Sequence, residues 1–211
     1  MNMKKKIGVL KYGIGNLSSF TNALDKLNIE YSLISKPRQL ENIEILILIG
    51  VGSFNSCMAK LEEKKFINPL NKFKNKNKFL LGICVGMQIL MTKGTENGEA
   101  NGLNFIKGKT IKMVSDKDHP LPHIGWNEIS KISNSFKLFD EIKLKSNFYF
   151  IHSFKISVSE ENIKLAETQY GKNTIVAALN KGNVFGVQFH PEKSQDVGMK
   201  IIKNFLNLAN A

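Results

Sequence analysis

In the first third of the chain, short apolar runs alternate with segments whose apolar residues recur every three or four positions. The run Ile43–Ile49 is almost entirely apolar, as is typical of a strand buried on both faces. Leu17, Phe20, Leu24 and Leu27 follow one another at helical spacing. Such alternation predicts a parallel sheet with helices on both faces. We predict strands at 7–10, 30–34, 43–49 and 79–84, and helices at 17–27, 54–64 and 87–91.

After residue 100, short strand patterns separated by turn residues dominate, and an amphipathic helix over 195–208 closes the chain. No linker divides the two halves. We therefore predict a single α/β domain over residues 1–211, with a central, mostly parallel sheet flanked by helices and additional antiparallel strands in the C-terminal half. The predicted strands of this half are 103–106, 110–114, 148–151, 164–168, 174–179 and 184–189.

Composition and charge exclude several classes of function. The net charge is +12 over 211 residues, but the lysines are scattered and no nucleic-acid motif accompanies them, which favours a solvated Lys-rich surface over nucleic-acid binding. The apolar run after the basic start at 1–6 is too short for a signal peptide, and no run reaches membrane-spanning length. Two cysteines cannot form a disulfide framework. We expect a cytoplasmic protein that binds neither membrane nor nucleic acid.

The segment 79–88 carries the most specific chemical signal. A predicted buried strand runs directly into a predicted helix, with Cys84 at the corner and Gly82 and Gly86 two residues to either side. This is the pattern of a nucleophile elbow, in which glycines allow strand and helix to approach closely. The helix N-terminus favours a thiolate, and the Val85 N–H points towards a developing oxyanion. The alternative is an inert buried cysteine, which is the reading we favour for Cys57.

A second signal lies near the end of the chain, where His190, Pro191 and Glu192 follow an apolar strand. A thiolate that attacks an amide needs a general acid for the departing nitrogen, and histidine suits that task near neutral pH. Pro191 favours an extended His190, so that a carboxylate two positions later can orient the ring. Taken alone the pair would be a core histidine beside an exposed glutamate, but the Cys84 elbow favours a catalytic Cys84, His190 and Glu192.

Five segments resemble the class I glutamine amidotransferases. They are Gly-Ile-Cys-Val-Gly-Met-Gln at 82–88, Gly-Val-Gln-Phe-His-Pro-Glu at 186–192, Lys-Tyr-Gly-Ile-Gly-Asn-Leu at 11–17, Pro-His-Ile-Gly-Trp-Asn at 122–127 and Tyr-Phe-Ile-His-Ser at 149–153. The last two are similar to signatures of one branch, the glutaminase subunits of imidazole glycerol phosphate synthase. The resemblance covers nearly the whole chain. It implies glutamine as substrate, no cofactor or metal, and a heterodimer with a (β/α)8-barrel cyclase subunit.

The resemblance also implies roles for further residues. Val51 and Gly52 would complete the oxyanion hole with Val85, at a turn whose peptide can flip. Two departures from the family pattern are Lys11, where Asp is usual, and Ile49, where Pro is usual before this turn. The residues implied in substrate binding are Gly50, Gln88, Glu96, His152, Ser153 and Phe154, and those implied at the partner interface are His123, Trp126 and Asn127.

The expected reaction is hydrolysis of glutamine to glutamate and ammonia through a thioester at Cys84. The leading acceptor for the ammonia is the cyclase reaction of histidine biosynthesis, which yields imidazole glycerol phosphate and AICAR. An alternative keeps the glutaminase chemistry but feeds a sugar-modifying amidotransferase system of surface glycan assembly. A third reading is a regulatory subunit without activity, against which the complete set of Cys84, His190 and Glu192 argues.

Overall fold

The computed structural model describes residues 5–210. Residues 1–4 of the basic start and Ala211 lie outside the described residues, and so do the two ends predicted for the domain. Among the described residues, no helix combines the length and apolar character needed to cross a bilayer.

The first half consists of βα units, as the hydrophobic pattern predicts. The strands of these units consist largely of buried apolar residues, and the third helix, α3, is one that the pattern did not predict. The elements are β1 (Ile7–Leu10), α1 (Leu17–Lys26), β2 (Ser32–Ile34), β3 (Ile45–Gly50), α2 (Phe54–Glu63), α3 (Ile67–Asn75), β4 (Phe79–Cys84) and α4 (Val85–Gln88).

The second half is built from short strands and the closing helix. The prediction of a strand at 103–106 is wrong, and that at 110–114 is displaced by two residues. The elements are β5 (Lys93–Gly94), β6 (Ala100–Asn101), β7 (Gly108–Lys112), β8 (His123–Glu128), β9 (Lys131–Ile132), β10 (Asn147–His152), β11 (Phe154–Val158), β12 (Lys164–Tyr170), β13 (Asn173–Lys181), β14 (Val184–Val187) and α5 (Gln195–Asn210).

Eight strands form the central sheet in the order β2-β1-β3-β4-β14-β13-β12-β9. The pairings from β2 to β14 are parallel, and those from β14 to β9 are antiparallel. This arrangement confirms the predicted fold class, a mostly parallel sheet with antiparallel strands added by the C-terminal half. A two-stranded ribbon of β8 and β10 and a four-stranded sheet of β11, β7, β5 and β6 complete the fold.

The position of β14 beside β4 matters most for the site. The two strands run parallel, with Val187 opposite Ile83, so their carboxyl ends meet at the same edge of the sheet. Ligands in open α/β sheets bind at this edge. Cys84, the last residue of β4, and His190, three residues after β14, therefore come together although they are far apart in sequence.

Candidate active site

Cys84 occupies the sharp turn between β4 and α4. Its backbone has φ 55° and ψ −117°, a conformation that side-chain-bearing residues rarely adopt. A Cβ on Gly82 would lie 2.5 Å from the Gly86 carbonyl oxygen, and one on Gly86 would lie 1.9 Å from that of Leu48. Both flanking positions therefore exclude any side chain. Strain of this kind is characteristic of functional sites.

The chain brings His190 to Cys84 on the turn that follows β14. The His190 N–H donates to the Tyr149 carbonyl at 2.9 Å, and the Ser194 hydroxyl donates to the His190 carbonyl at 2.7 Å. Pro191 then begins a short 3₁₀ helix, Pro191–Lys193, which turns Glu192 back towards the imidazole. The Nδ1 atom of His190 lies 2.8 Å from Oε1 of Glu192. The spacing of two residues thus produces the contact that the sequence pattern suggests.

The surroundings of His190 favour its charged form. The Glu192 side chain is 1% exposed, and its Oε2 has no hydrogen-bond partner among the described residues, so the imidazole is the main compensation for its charge. Burial by itself lowers the pKa of His190, but the interactions of the ring with Cys84 and Glu192 outweigh it and raise the pKa from 6.5 to about 10. A protonated ring beside the sulfur stabilises a thiolate and can donate a proton.

The side chains of Cys84 and His190 both line a cavity of about 350 Å³. Most of the residues expected in the site line this cavity, whereas Gly50 does not. A Cβ on Gly50 would lie 2.5 Å from the Gly86 nitrogen, so this glycine allows β3 to pack against α4. The cavity-lining residues are Asn16, Val51, Gly52, Cys84, Val85, Gln88, Glu96, Pro122, Ile151, His152, Ser153, Phe154, His190 and Lys193.

Glu96 supplies an acidic group at the wall of this cavity. Its Oε2 accepts a hydrogen bond of 2.7 Å from the Phe54 N–H, at the start of α2. Burial raises the pKa of this carboxyl, and the hydrogen bond from Phe54 opposes the rise. A carboxylate held here by one oxygen can offer the other to an ammonium group of a ligand.

Gln88 is tied into the wall of the cavity by a second glutamine. The Gln88 Nε2 donates to the Phe154 carbonyl at 3.0 Å and to Oε1 of Gln188 at 2.9 Å. The Gln188 Nε2 lies 3.8 Å from the Cys84 sulfur. Sequence reasoning assigned no role to Gln188, although a polar residue inside an apolar strand is a signal of a buried hydrogen-bonded position.

The residues expected at a partner interface divide between the two faces of the ribbon formed by β8 and β10. Trp126 is 48% exposed, but His123 is 3% exposed and cannot contact a partner directly. The His123 ring stacks on Tyr170, and its Nδ1 lies 3.1 Å from Nε2 of His152. The Asn127 amide lies 3.2 Å from Nε2 of His123 and donates to the Gln169 carbonyl. The His123 side chain therefore packs on the inner face of the ribbon.

The chain of contacts from Asn127 through His123 to His152 has one consistent arrangement of hydrogens. The Nδ1 atom of His152 donates to the Phe154 carbonyl at 2.8 Å, which leaves its Nε2 to accept from His123. The Nε2 of His123 then accepts from Asn127. Burial lowers the pKa of His123 to about 4 and that of His152 to about 3, so both rings are neutral near pH 7. Within residues 5–210, no group of three or more His, Cys, Asp or Glu side chains has the geometry of a metal site.

Comparison with known proteins identifies relatives of this chain. The family described as glutamine amidotransferase class-I matches residues 9–209. Three bacterial relatives, each described as an imidazole glycerol phosphate synthase subunit HisH, match over nearly their whole length. The protein from Pelagibacter ubique is 42% identical over 210 residues, covering 96% of this chain and 99% of that protein. The one from Bacillus subtilis is 40% identical over 208 residues, covering 96% of each. HisH 1 from Campylobacter jejuni strain RM1221 is 40% identical over 203 residues, covering 96% of this chain and all of the relative.

Solved structures resemble the fold more widely. A crystal structure of a glutamine amidotransferase superposes with a TM-score of 0.75 at 19% identity, covering 97% of this chain and 99% of the other. PurLQS from Thermotoga maritima gives a TM-score of 0.73 at 21% identity, covering 98% and 99%. At these identities the likeness concerns the fold alone.

Proposed function

This chain belongs to the class I glutamine amidotransferase family, and on that premise we propose that it is the glutaminase subunit of an imidazole glycerol phosphate synthase. One observation carries the proposal: Cys84 and His190 meet in a single cavity, and the buried Glu192 lies 2.8 Å from the far side of the imidazole, at Nδ1. The relatives named as this subunit support the assignment over nearly their whole length.

The reaction begins with attack of the Cys84 thiolate on the side-chain amide carbon of glutamine. The new C–S bond forms as the carbonyl becomes an oxyanion, which N–H groups at Gly52 and Val85 stabilise. His190 transfers its proton to the amide nitrogen, and the C–N bond breaks to release ammonia. A thioester between Cys84 and the glutamyl group remains.

Water completes the cycle. The neutral His190 removes a proton from the attacking water as the new C–O bond forms. The C–S bond then breaks and the product leaves, its new carboxyl group ionising in water as glutamate, so the imidazolium stands again beside the regenerated thiolate. Glu192 keeps the ring oriented and stabilises its positive charge through Nδ1. Glu96 is suited to bind the α-ammonium of glutamine. Backbone groups of His152, Ser153 and Phe154, which also line the cavity, are suited to its α-carboxylate.

The ammonia requires a shielded path, because in water it would be protonated and lost. We propose that a (β/α)8-barrel cyclase subunit covers the exposed apolar face beside the cavity mouth, where Ile124 is 56%, Trp126 48% and Ile151 39% exposed. Ile151 lines the cavity as well, so this face and the site are continuous. The partnership makes the protein one half of a heterodimer in histidine biosynthesis.

Cys84→Ala tests the reaction. In the presence of the cyclase subunit from the same genome, we expect glutamate release to fall to background, and His190→Ala to reduce it by at least about a hundredfold. His119→Ala is the matched control, since this loop histidine lies outside the cavity. Glutamate release that survives Cys84→Ala would refute the mechanism. Glutamine-dependent formation of imidazole glycerol phosphate tests the acceptor, and its absence despite active glutaminase would favour the sugar-modifying alternative.

A further inference from the structure

Two side chains that the reaction does not use lie directly behind the oxyanion turn. Tyr12 and Cys57 are both fully buried, and neither lines the cavity. The Tyr12 hydroxyl lies 3.0 Å from the Ile49 carbonyl oxygen and 3.4 Å from the Cys57 sulfur. The Cys57 sulfur lies 3.6 Å from the Val51 carbonyl oxygen. The pair thus contacts the carbonyl groups on both sides of Gly50.

The available hydrogens can be assigned to these contacts. The phenol has a single hydrogen, and its shorter contact is with Ile49, so the thiol hydrogen serves the Val51 carbonyl. Burial raises the pKa of Cys57 to about 11, which keeps this thiol protonated and able to donate at neutral pH. The contacts form one buried network in which each carbonyl oxygen accepts one hydrogen.

The position of the Val51 carbonyl determines the direction of the next N–H. In a trans peptide the C=O and N–H point to opposite sides. Val51 and Gly52 line the cavity, whereas Cys57 lies behind them in the core. A Val51 carbonyl bonded to Cys57 is therefore directed into the interior, and the Gly52 N–H is directed towards the cavity. Gly52 has φ 82°, a conformation that glycine adopts readily, and a Cβ added there would meet no atom within 4 Å.

We propose that Tyr12 and Cys57 are positioning residues that hold the oxyanion turn with the Gly52 N–H facing the reacting carbonyl. We call the hydrogen bonds from Tyr12 and Cys57 to the two carbonyl groups the clamp. The inference that it serves catalysis rests on the proposed glutaminase function, because only a developing oxyanion requires such a donor. Ile49 leaves the backbone φ before the turn unrestricted, so the side-chain hydrogen bonds supply the restraint. Without the thiol, the Val51–Gly52 peptide can rotate and present its carbonyl to the cavity instead.

A spectroscopic experiment tests the geometry without reference to catalysis. The chain has two cysteines, so Cys84→Ser leaves Cys57 as the only thiol. We expect its S–H stretching band in the infrared to lie at lower frequency than that of a thiol in an apolar solvent, because the bond to Val51 weakens S–H. A band at the free-thiol frequency would overturn the clamp whatever the activity.

Kinetic comparison of Cys57→Ala with Cys57→Ser tests the consequence, with each variant assayed beside the cyclase subunit. Serine keeps a donor and alanine removes it, at nearly the same volume. We expect alanine to lower kcat about five- to tenfold, the equivalent of one hydrogen bond, with KM for glutamine unchanged and serine retaining most of kcat. Equal kcat values for the two variants would overturn the proposal.

Alkylation of Cys84 by iodoacetamide separates positioning from general damage. Displacement of iodide forms no oxyanion, so the rate at Cys84, followed by peptide mapping, should be the same in Cys57→Ala as in the parent chain. A parallel loss of alkylation would mean a structural role only, against the proposal. Two outcomes distinguish the clamp from the proposed function. If the Cys57 band is shifted but the parent complex releases no glutamate, the proposed function is refuted. If Cys57→Ala keeps full activity, the clamp alone is refuted.

Discussion

At the scale of single residues, the charge on His190 depends on the carboxylate behind it. Glu192→Gln keeps the size of the side chain and an oxygen for Nδ1 but removes the charge. We expect the pKa of His190 to fall from its raised value of about 10. The thiolate–imidazolium pair is lost as pH rises through this pKa, so the alkaline limb of kcat/KM should move to lower pH. A pH profile of glutamate release measures the shift, with the exposed Glu161→Gln as control; an unmoved limb would contradict the role of Glu192.

The candidate catalytic residues Cys84, His190 and Glu192 could be recognised in the sequence because the patterns that mark them are local. The glycines around Cys84 and the two-residue spacing of His190 and Glu192 each carry a physical reason that needs no distant contact. Gln188 could not be assigned in this way, since its role comes from Gln88, a hundred positions away. Cys57 was expected to be inert, and its contacts with the Val51 carbonyl and the Tyr12 hydroxyl depend on where α2 places its side chain.

At the scale of elements, the junction of β4 and α4 tolerates no side chain at Gly86. An added Cβ would lie 1.9 Å from the Leu48 carbonyl oxygen, which belongs to the backbone of β3 and cannot rotate away. We expect Gly86→Ala to lower the free energy of unfolding by about 3 kcal/mol or more, measured by denaturant titration. Gly182→Asn is the control, because its Cβ meets nothing and asparagine tolerates φ 55°. Similar stability of the two variants would contradict the close packing.

His123 and His152 lie on the inner face of the ribbon of β8 and β10, and they predict that acid lowers the stability of the fold. The pKa of His123 is lowered by burial from 6.5 to about 4, so the unfolded chain binds the proton first as pH falls through this window. The free energy of unfolding should therefore decrease between these two pH values. His123→Phe keeps the stacking on Tyr170 but cannot titrate, and should show a shallower slope. Denaturant titrations at several pH values measure it, and identical slopes would contradict the prediction.

The prediction of a strand failed at a segment whose backbone N–H groups do not bond to another strand. Three of the four residues in 103–106 are apolar and buried, but the N–H groups of these residues, Leu103, Phe105 and Ile106, donate to carbonyls of Ile89 and Leu90, just beyond α4. Apolarity alone could not distinguish this segment from a strand. Helix α3 was missed because Lys and Asn separate its apolar residues, of which Leu70 and Phe73 are buried. The parallel sheet was predicted correctly because β1, β3 and β4 are nearly continuous apolar runs, each followed by a helix.

At the scale of the whole molecule, the ribbon of β8 and β10 connects the site with the surface. Ile124 pairs with Ile151, and Trp126 with Tyr149, so these four side chains share one face. The opposite face carries His123 and the buried His152. One ribbon thus presents an apolar surface outward and supports the cavity wall inward. A partner bound to the outer face would contact Ile151, which also lines the cavity, and would therefore adjoin the site from which we propose that ammonia leaves.

Ile124→Lys tests this face as the docking surface. Burying an unpaired ammonium where an apolar contact is expected should weaken binding of the cyclase subunit by at least about thirtyfold, measured by titration calorimetry. Leu33→Lys is the matched control: Leu33 is 42% exposed but lies on β2, the edge strand of the central sheet. Alkylation of Cys84 in the free chain should be unaffected by either change, since neither alters the elbow. Because the face adjoins the cavity, glutamate release in the mixture should fall in proportion to the complex lost. Equal affinity of the two variants for the partner would place the interface elsewhere on the molecule.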